Sequence, residues 1–273
     1  MEWSKVKNII ILMLLVVNVL LLGQSAQQER QHREYQEEAL NGAVEVLRKQ
    51  GYEVEISALP EAQELFSLSA ERDREGEALL AQTLLGPVSR TEEGLRAVYR
   101  GEGGSCWFRS DGSFFLTFQP ERYRLDGEDE GSHAQRLLSE AGYSCEVIDV
   151  EAQGGENVTV TLRQIWEGAP IFSCTAELTY RNGALAELEG IRLIGTPAKE
   201  TDSERIMDLP TALIRFMAEM REGGHVFTRI ERMTAGYQIT SSGRRVGLRP
   251  VWQVDTDVDI RLLDGLTGAL STQ

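Results

Sequence analysis

Three stretches of this sequence share one signature: an apolar stripe at helical spacing, closed by glycine, then residues that alternate as strands do. Leu40, Ala43, Val44 and Leu47 fall at i, i+3, i+4 and i+7, and Gly51 follows. Ala134, Leu137, Leu138 and Ala141 repeat the stripe before Gly142, and Leu213, Phe216, Met217 and Met220 repeat it before Gly223–Gly224. Ser132 and Gln135 fit a capping box, and Pro210 suits a first helical turn. The first two stretches share a literal echo, Leu47-x-x-x-Gly51-Tyr52-x-x-Glu55 against Leu138-x-x-x-Gly142-Tyr143-x-x-Glu146. A helix with one apolar stripe has to bury it, and the strands that follow supply a sheet face to bury it on.

The strand-like stretches carry turn signals. VYRGEGGSCWFRSDGSFFLTF reads as a hairpin turning at Asp111–Gly112. Residues 157–195 read as three strands turned at Glu167–Pro170 and Asn182–Gly183, and residues 233–268 as a meander turned near Ser242–Gly243 and after Asp257. The expected fold class is α+β, with repeated units of a helix plus an antiparallel β-meander. Two units are clear. The first is interrupted by residues 59–94, within which Glu75–Leu85 reads as a helix (Leu79, Leu80, Leu84) stopped by Gly86–Pro87. The acidic loop 126–132 has no apolar residue and divides an expected N-terminal subdomain, 51–127, from a C-terminal region, 128–273.

Ahead of these units stand residues 1–23, expected as a cytoplasmic tip and transmembrane anchor, and residues 24–50, expected as a polar stalk running into the first helix. The apolar core runs from Ile9 to Leu22 with only Asn18 inside it. At ~1.5 Å per residue that core is shorter than the ~30 Å hydrocarbon layer, and extension from Val6 to Gly23 reaches the lower limit for a span. Two readings stand. A signal peptide has the basic start Lys5 and Lys7, the apolar run, and small residues at Gly23 and Ser25 for cleavage. A retained helix has Trp3 placed as an interfacial anchor and flows into a helix-prone segment with no proline before Pro60. In both, Lys5 and Lys7 stay on the cytoplasmic side and the bulk of the chain is outside. Asn18 either bonds back to its own helix or seeks a partner helix in the membrane.

The formal charge of −15 is concentrated outside this segment, because Glu2 against Lys5 and Lys7 makes residues 1–23 worth +1 and leaves −16 for the rest. Such a domain argues against nucleic acid or anionic headgroups as partners. Cys106, Cys145 and Cys174 are an odd set in apolar settings, which favours buried free thiols over a disulfide framework.

Nothing in the sequence forms a catalytic or cofactor motif. His32, His133 and His225 stand beside no serine or cysteine nucleophile, and Gly-x-Ser-x-Gly, His-Glu-x-x-His and Cys-x-x-Cys are absent. Asp255-Thr256-Asp257-Val258-Asp259 starts like a calcium loop, but Ile260 and Leu266 occupy the positions of the turn glycine and the bidentate glutamate. The three carboxylates read instead as one solvated face of a strand. Arg244, Arg245 and Arg249 form a basic cluster at a hairpin tip, which suits solubility or contact with an acidic partner.

Met1-Glu2-Trp3-Ser4-Lys5-Val6-Lys7 running straight into an apolar helix resembles the start of the YycI family. Gly236-Tyr237, Leu248-x-Pro250-Val251-Trp252-x-Val254 and Leu263-Asp264-Gly265-Leu266-Thr267-Gly268 resemble its C-terminal region. Asp264–Gly265 departs from the family's Asn-Ala, and the closing motif is shared with PepSY-like domains. The resemblance implies a non-enzymatic, single-pass protein of Gram-positive cell membranes with its N-terminus cytoplasmic and its bulk extracellular. It would act with a YycH-like companion on the YycFG (WalRK) sensor histidine kinase, which governs cell-wall metabolism. Trp3–Gly23 would contact the kinase's transmembrane helices, with Asn18 placed for an interhelical bond. The resemblance favours the retained helix. The rival is a secreted PepSY-like binding or inhibitory module released by cleavage.

Overall fold

The computed structural model describes residues 13–15, 17, 18, 27, 34–60, 63–154, 157–193, 195–199, 202–242 and 245–271. Helix α1 spans residues 34–49 and is followed by the short strands β1 (Glu53–Val54) and β2 (Leu68–Glu71). Then a helix followed by a four-stranded antiparallel meander occurs three times. The first unit is α2 (Arg74–Leu85) with β3 (Val88–Glu93), β4 (Arg96–Gly101), β5 (Gly104–Arg109) and β6 (Ser113–Phe118). The second is α3 (Glu130–Glu140) with β7 (Cys145–Ala152), β8 (Asn157–Trp166), β9 (Ala169–Arg181) and β10 (Ala184–Ile191). After β11 (Ala198–Lys199) comes the third, α4 (Leu209–Glu222) with β12 (Arg229–Ser242), β13 (Arg245–Thr256), β14 (Ile260–Asp264) and β15 (Leu270–Ser271).

The first two units join through their last strands. β6 and β10 pair antiparallel, Leu116 opposite Leu188, so the two meanders form one eight-stranded sheet ordered β7-β8-β9-β10-β6-β5-β4-β3. Equivalent strands paired antiparallel relate the two units by a pseudo-two-fold axis normal to the sheet. Both helices cover the same face, where Leu80, Leu84, Leu137 and Leu138 pack on Phe108, Leu116, Leu162 and Leu178 in one core. The acidic stretch 126–132 is part loop and part helix, since α3 begins at Glu130, and the two helices that flank the loop in sequence, α2 and α3, share that core.

The other lobe takes its two helices from opposite ends of the chain. α1 buries Ala43, Val44 and Leu47 beside Leu213, Phe216 and Met220 of α4, over Ile230, Ala235, Trp252 and Leu263 of the third meander. Trp252 is 1 % exposed and its indole N–H donates to the Met207 carbonyl at 3.1 Å, so its ring is buried without a stranded donor. Each such large apolar side chain contributes about 1.5–3 kcal/mol by leaving water.

The fold is therefore α+β and rich in sheet, but the units divide differently from the sequence expectation. The supposed interruption contains α2, which heads the first meander itself. α1 has no meander of its own, and β1 joins the third unit by pairing in parallel with β12, Glu53 opposite Arg229. Within α2, Leu79 is 64 % exposed, and the buried face is Leu80, Ala81, Leu84 and Leu85 with Glu77. α3 starts earlier than the Ser132–Gln135 box implies. Its cap is Asp129, whose carboxylate accepts from the Ser132 N–H at 2.9 Å, while the Gln135 amide donates to the Cys145 carbonyl at 3.0 Å. The turn between β8 and β9 is Glu167–Gly168, which leaves Pro170 inside β9.

The glycine-tyrosine echo is a shared helix ending. Tyr52 N–H donates to the Leu47 carbonyl at 3.1 Å and Tyr143 N–H to the Leu138 carbonyl at 2.8 Å, with Gly51 and Gly142 at φ of 93° and 78°.

The crossovers between the lobes are tied by buried charge. Arg72 follows β2, Arg192 follows β10, and the Glu77 carboxylate on α2 lies between them, at 2.7 and 3.7 Å respectively.

Trp3, Lys5 and Lys7 lie outside the described residues. Of the expected span, residues 13–15, 17 and 18 are described, helical and exposed. Among the described residues no helix is long and apolar enough to cross a membrane.

Candidate functional site: a cleft where two sheets part

β9 is thirteen residues long and changes neighbours along its length. Its C-terminal part pairs with β10, whereas near its start Ile171 lies opposite Tyr237 of β12 in a parallel bridge. The two sheets diverge from this strand and leave a cleft of about 940 Å³ on the side away from the helices. Gly236 makes the close approach possible. A Cβ there would stand 2.5 Å from the Pro170 carbonyl oxygen and 2.6 Å from the Phe172 ring.

The floor is apolar: Phe172 and Leu262 pack with Val251 in a small buried cluster. The walls carry ion pairs. On the β7–β8 side, Arg163 donates to Glu146 from Nε at 2.9 Å and Nη2 at 2.7 Å, with its guanidinium 5.2 Å from the centre of the Phe172 ring. On the β12–β13 side, Arg232 reaches one oxygen of Asp255 at 3.0 Å and the Gln253 amide donates to the other at 2.7 Å. The Ser173 hydroxyl accepts from the Ile239 N–H at 2.9 Å. Among the described residues no histidine or cysteine lines the cleft. The cleft thus presents an apolar floor between polar walls whose arginines and carboxylates are paired.

The residues singled out in the sequence go elsewhere. His133 is buried, its Nδ1 2.8 Å from the Tyr180 hydroxyl, and burial holds its pKa below the ordinary 6.5. His225 sits beyond α4, and His32 lies outside the described residues. Cys106, Cys145 and Cys174 are free and buried.

The three aspartates do not share a solvated strand face, because β13 ends at Thr256 and each carboxylate is used separately. Asp255 is buried and pairs with the exposed Arg232. Asp257 accepts from the Thr228 and Arg229 N–H groups and the Thr228 hydroxyl, which draws its pKa down to about 2. Asp259 pairs with Arg261 and accepts from the Thr256 hydroxyl. Among the described residues no metal-binding group of side chains forms.

Arg244 and the Arg245 side chain lie outside the described residues, and Arg249 is paired with Asp264. Glu146, Arg163, Phe172 and Arg232 carried no motif. The signal that reaches part of the set is hairpin register: counting back from Ser242 opposite Arg245 sets Arg232 against Asp255.

No family model and no curated protein matches the chain. Among solved structures, an uncharacterized protein from Eubacterium rectale ATCC 33656 is 12 % identical with a TM-score of 0.50, the match covering 81 % of this chain and 90 % of that one. The C-terminal domain of Bacillus megaterium YpeB is 10 % identical with a TM-score of 0.36, covering 74 % of this chain and 97 % of that one. At such identities the likeness is one of fold, and the chain shares a mixed α+β, sheet-rich architecture with the Eubacterium rectale protein.

Proposed function

We propose that the chain is a non-enzymatic, membrane-anchored regulator of a two-component sensor kinase that governs cell-wall metabolism. It is of the YycI type and acts with a YycH-like companion. The observation that carries this reading is the apolar helical segment ahead of α1. Met13, Leu14, Leu15 and Val17 are 70, 58, 58 and 45 % exposed. At about 100° per residue they spread over about 200° of the helix circumference, wider than the roughly 100° stripe that one protein face buries, which suits a lipid surround. Asn18 is exposed beside them and suits an interhelical bond to the kinase. The cleft suits a segment of the companion whose apolar side chains settle between the ion pairs.

Mechanistically, the helix shifts a kinase equilibrium by its differential affinity for two packings of the kinase helices. One interhelical polar bond contributes roughly 1 kcal/mol, so the regulation is severalfold.

The cleft also favours a second reading, a secreted PepSY-like binding module, since recognition there needs no membrane. The test is the mature N-terminus and the extractability of a C-terminally tagged chain. Retention of residues 1–23 with release only by detergent supports the anchor, and crosslinking from Asn18 to a kinase helix then follows. A soluble chain beginning near Ala26 overturns it in favour of the secreted module.

A further inference from the structure

Beside the cleft, which takes up the Glu146–Arg163–Thr175 corner of the same face, the eight-stranded sheet leaves its outer face open, and the open part is divided by charge. One row of cross-strand neighbours runs through Thr91, Val98, Trp107 and Phe115 on the first meander. It continues through Glu189, Glu177, Thr161 and Asp149 on the second. These residues alternate with the ones in the helix-covered core, so they lie on the opposite face.

The first half is aromatic and cationic. Trp107 and Phe115 stack at 6.2 Å, and Arg96 and Arg109, opposite each other in register, flank Trp107 with their guanidinium carbons 4.4 and 5.7 Å from the ring centre. Neither arginine forms an ion pair among the described residues, and the one carboxylate that feels the charge of Arg109 is Asp111 at the β5–β6 turn. The second half is anionic: Glu177 and Glu189 stand directly opposite each other, both exposed, and no cation pairs with either among the described residues. Like charges so placed destabilise a sheet. The boundary between the halves is the β6–β10 seam, which is also the pseudo-two-fold centre of the sheet.

We propose that this face binds a second copy of the chain in a two-fold dimer, with the axis lying in the face along β6 and β10. Rotation about that axis sets the Arg96–Trp107–Arg109 half of each copy against the Glu177–Glu189 half of the other. Rotation about the perpendicular in-plane axis would set like on like. The patch is thus self-complementary, as an isologous interface requires. Two sheets packed face to face would exclude water from Trp107, Phe115 and the unpaired glutamates together. The proposal stands apart from the regulator reading and needs no companion.

The test is sedimentation of the full-length chain in detergent at several concentrations, with two charge reversals, Glu177→Arg/Glu189→Arg and Arg96→Glu/Arg109→Glu. The expected result is a wild-type dimer that weakens as ionic strength rises from about 0.1 to 1 M, where the screening length falls from about 10 to 3 Å. Each reversal alone is expected to raise the dissociation constant on the order of tenfold or more, and an equimolar mixture of the two to recover the dimer, because each reversed half then meets its opposite. Unchanged circular dichroism shows that a variant is folded, and a pair that fails this check is replaced by Glu189→Arg with Arg96→Glu. A monomeric wild type, a dimer that survives both reversals, or a mixture that fails to recover it overturns the proposal. Binding through this face to a different protein alone does the same.

Discussion

Glu77 and Arg72 meet through two parallel hydrogen bonds, 2.7 and 3.0 Å, although Glu77 is 1 % exposed. A carboxylate so deeply buried is tolerable only with cations around it, and Arg192 supplies the second at 3.7 Å. Arg192 stacks 5.2 Å from the centre of the Phe108 ring, in the core of the helix-covered sheet. Glu77→Gln leaves both guanidinium groups without their counter-charge. The expected loss is about 3–5 kcal/mol, read as a lower urea midpoint at unchanged slope. A midpoint within error of the parent would mean that the triad does not hold the crossovers.

Acid should weaken the fold through His133. Burial depresses its folded pKa below the 6.5 of the free side chain. Above about 6.5 both states are neutral there and the full stability is present. As pH falls below that value the unfolded chain takes up the proton first, so stability falls until the folded pKa is reached. Urea midpoints at pH 7.5, 6.5 and 5.5 should fall in that order. His133→Gln, which has nothing to protonate, should flatten that part of the profile; an unchanged slope assigns it to other groups.

The three thiols should resist modification in the native state. Burial pushes Cys106 and Cys174 up to about 12 and Cys145 to about 11, so thiolate is scarce at neutral pH and access is blocked as well. A thiol-reactive dye should label none of them natively and all three after denaturation. Rapid labelling of the native protein, or a dithiol appearing only on reduction, would contradict the free, buried assignment.

Gly236→Ala tests the cleft. The added carbon meets the Pro170 carbonyl, which is backbone and cannot turn aside, and the Phe172 ring. The expected cost is about 1–3 kcal/mol from overpacking. Trp166 packs on the neighbouring core, so its fluorescence should change with the substitution. Parent-like stability and emission would mean that the β9–β12 approach is looser than the geometry implies.

How far these features were legible varies by element. The stripes of α1, α3 and α4 are local, and their apolar positions are buried: Val44, Leu47, Ala134, Leu138, Leu213 and Phe216. Which helix covers which sheet is not local. The stripe of α1 is as compatible with the first meander as with the third, and only the parallel β1–β12 pairing decides. Asp129 was hidden as a cap by its acidic surroundings, where it reads as one loop carboxylate among several. The cleft was hidden for another reason. Glu146 with Arg163 and Arg232 with Asp255 become pairs only when strand registers are known, and the bulge between Val147 and Asp149 shifts one of those registers. The Asp255–Asp259 pattern misled because alternation does not show where a strand stops.

The lobe that joins α1 to α4 also orders events in time. A chain made from its N-terminus presents α1 first, but the surfaces that cover Val44 and Leu47 come from α4 and the last meander. The whole sheet from β3 to β10, with α2 and α3, is contiguous and can close while those partners are still unmade. For that interval the apolar side of α1 is left waiting, a window in which a holding factor or a neighbouring nascent chain competes for it.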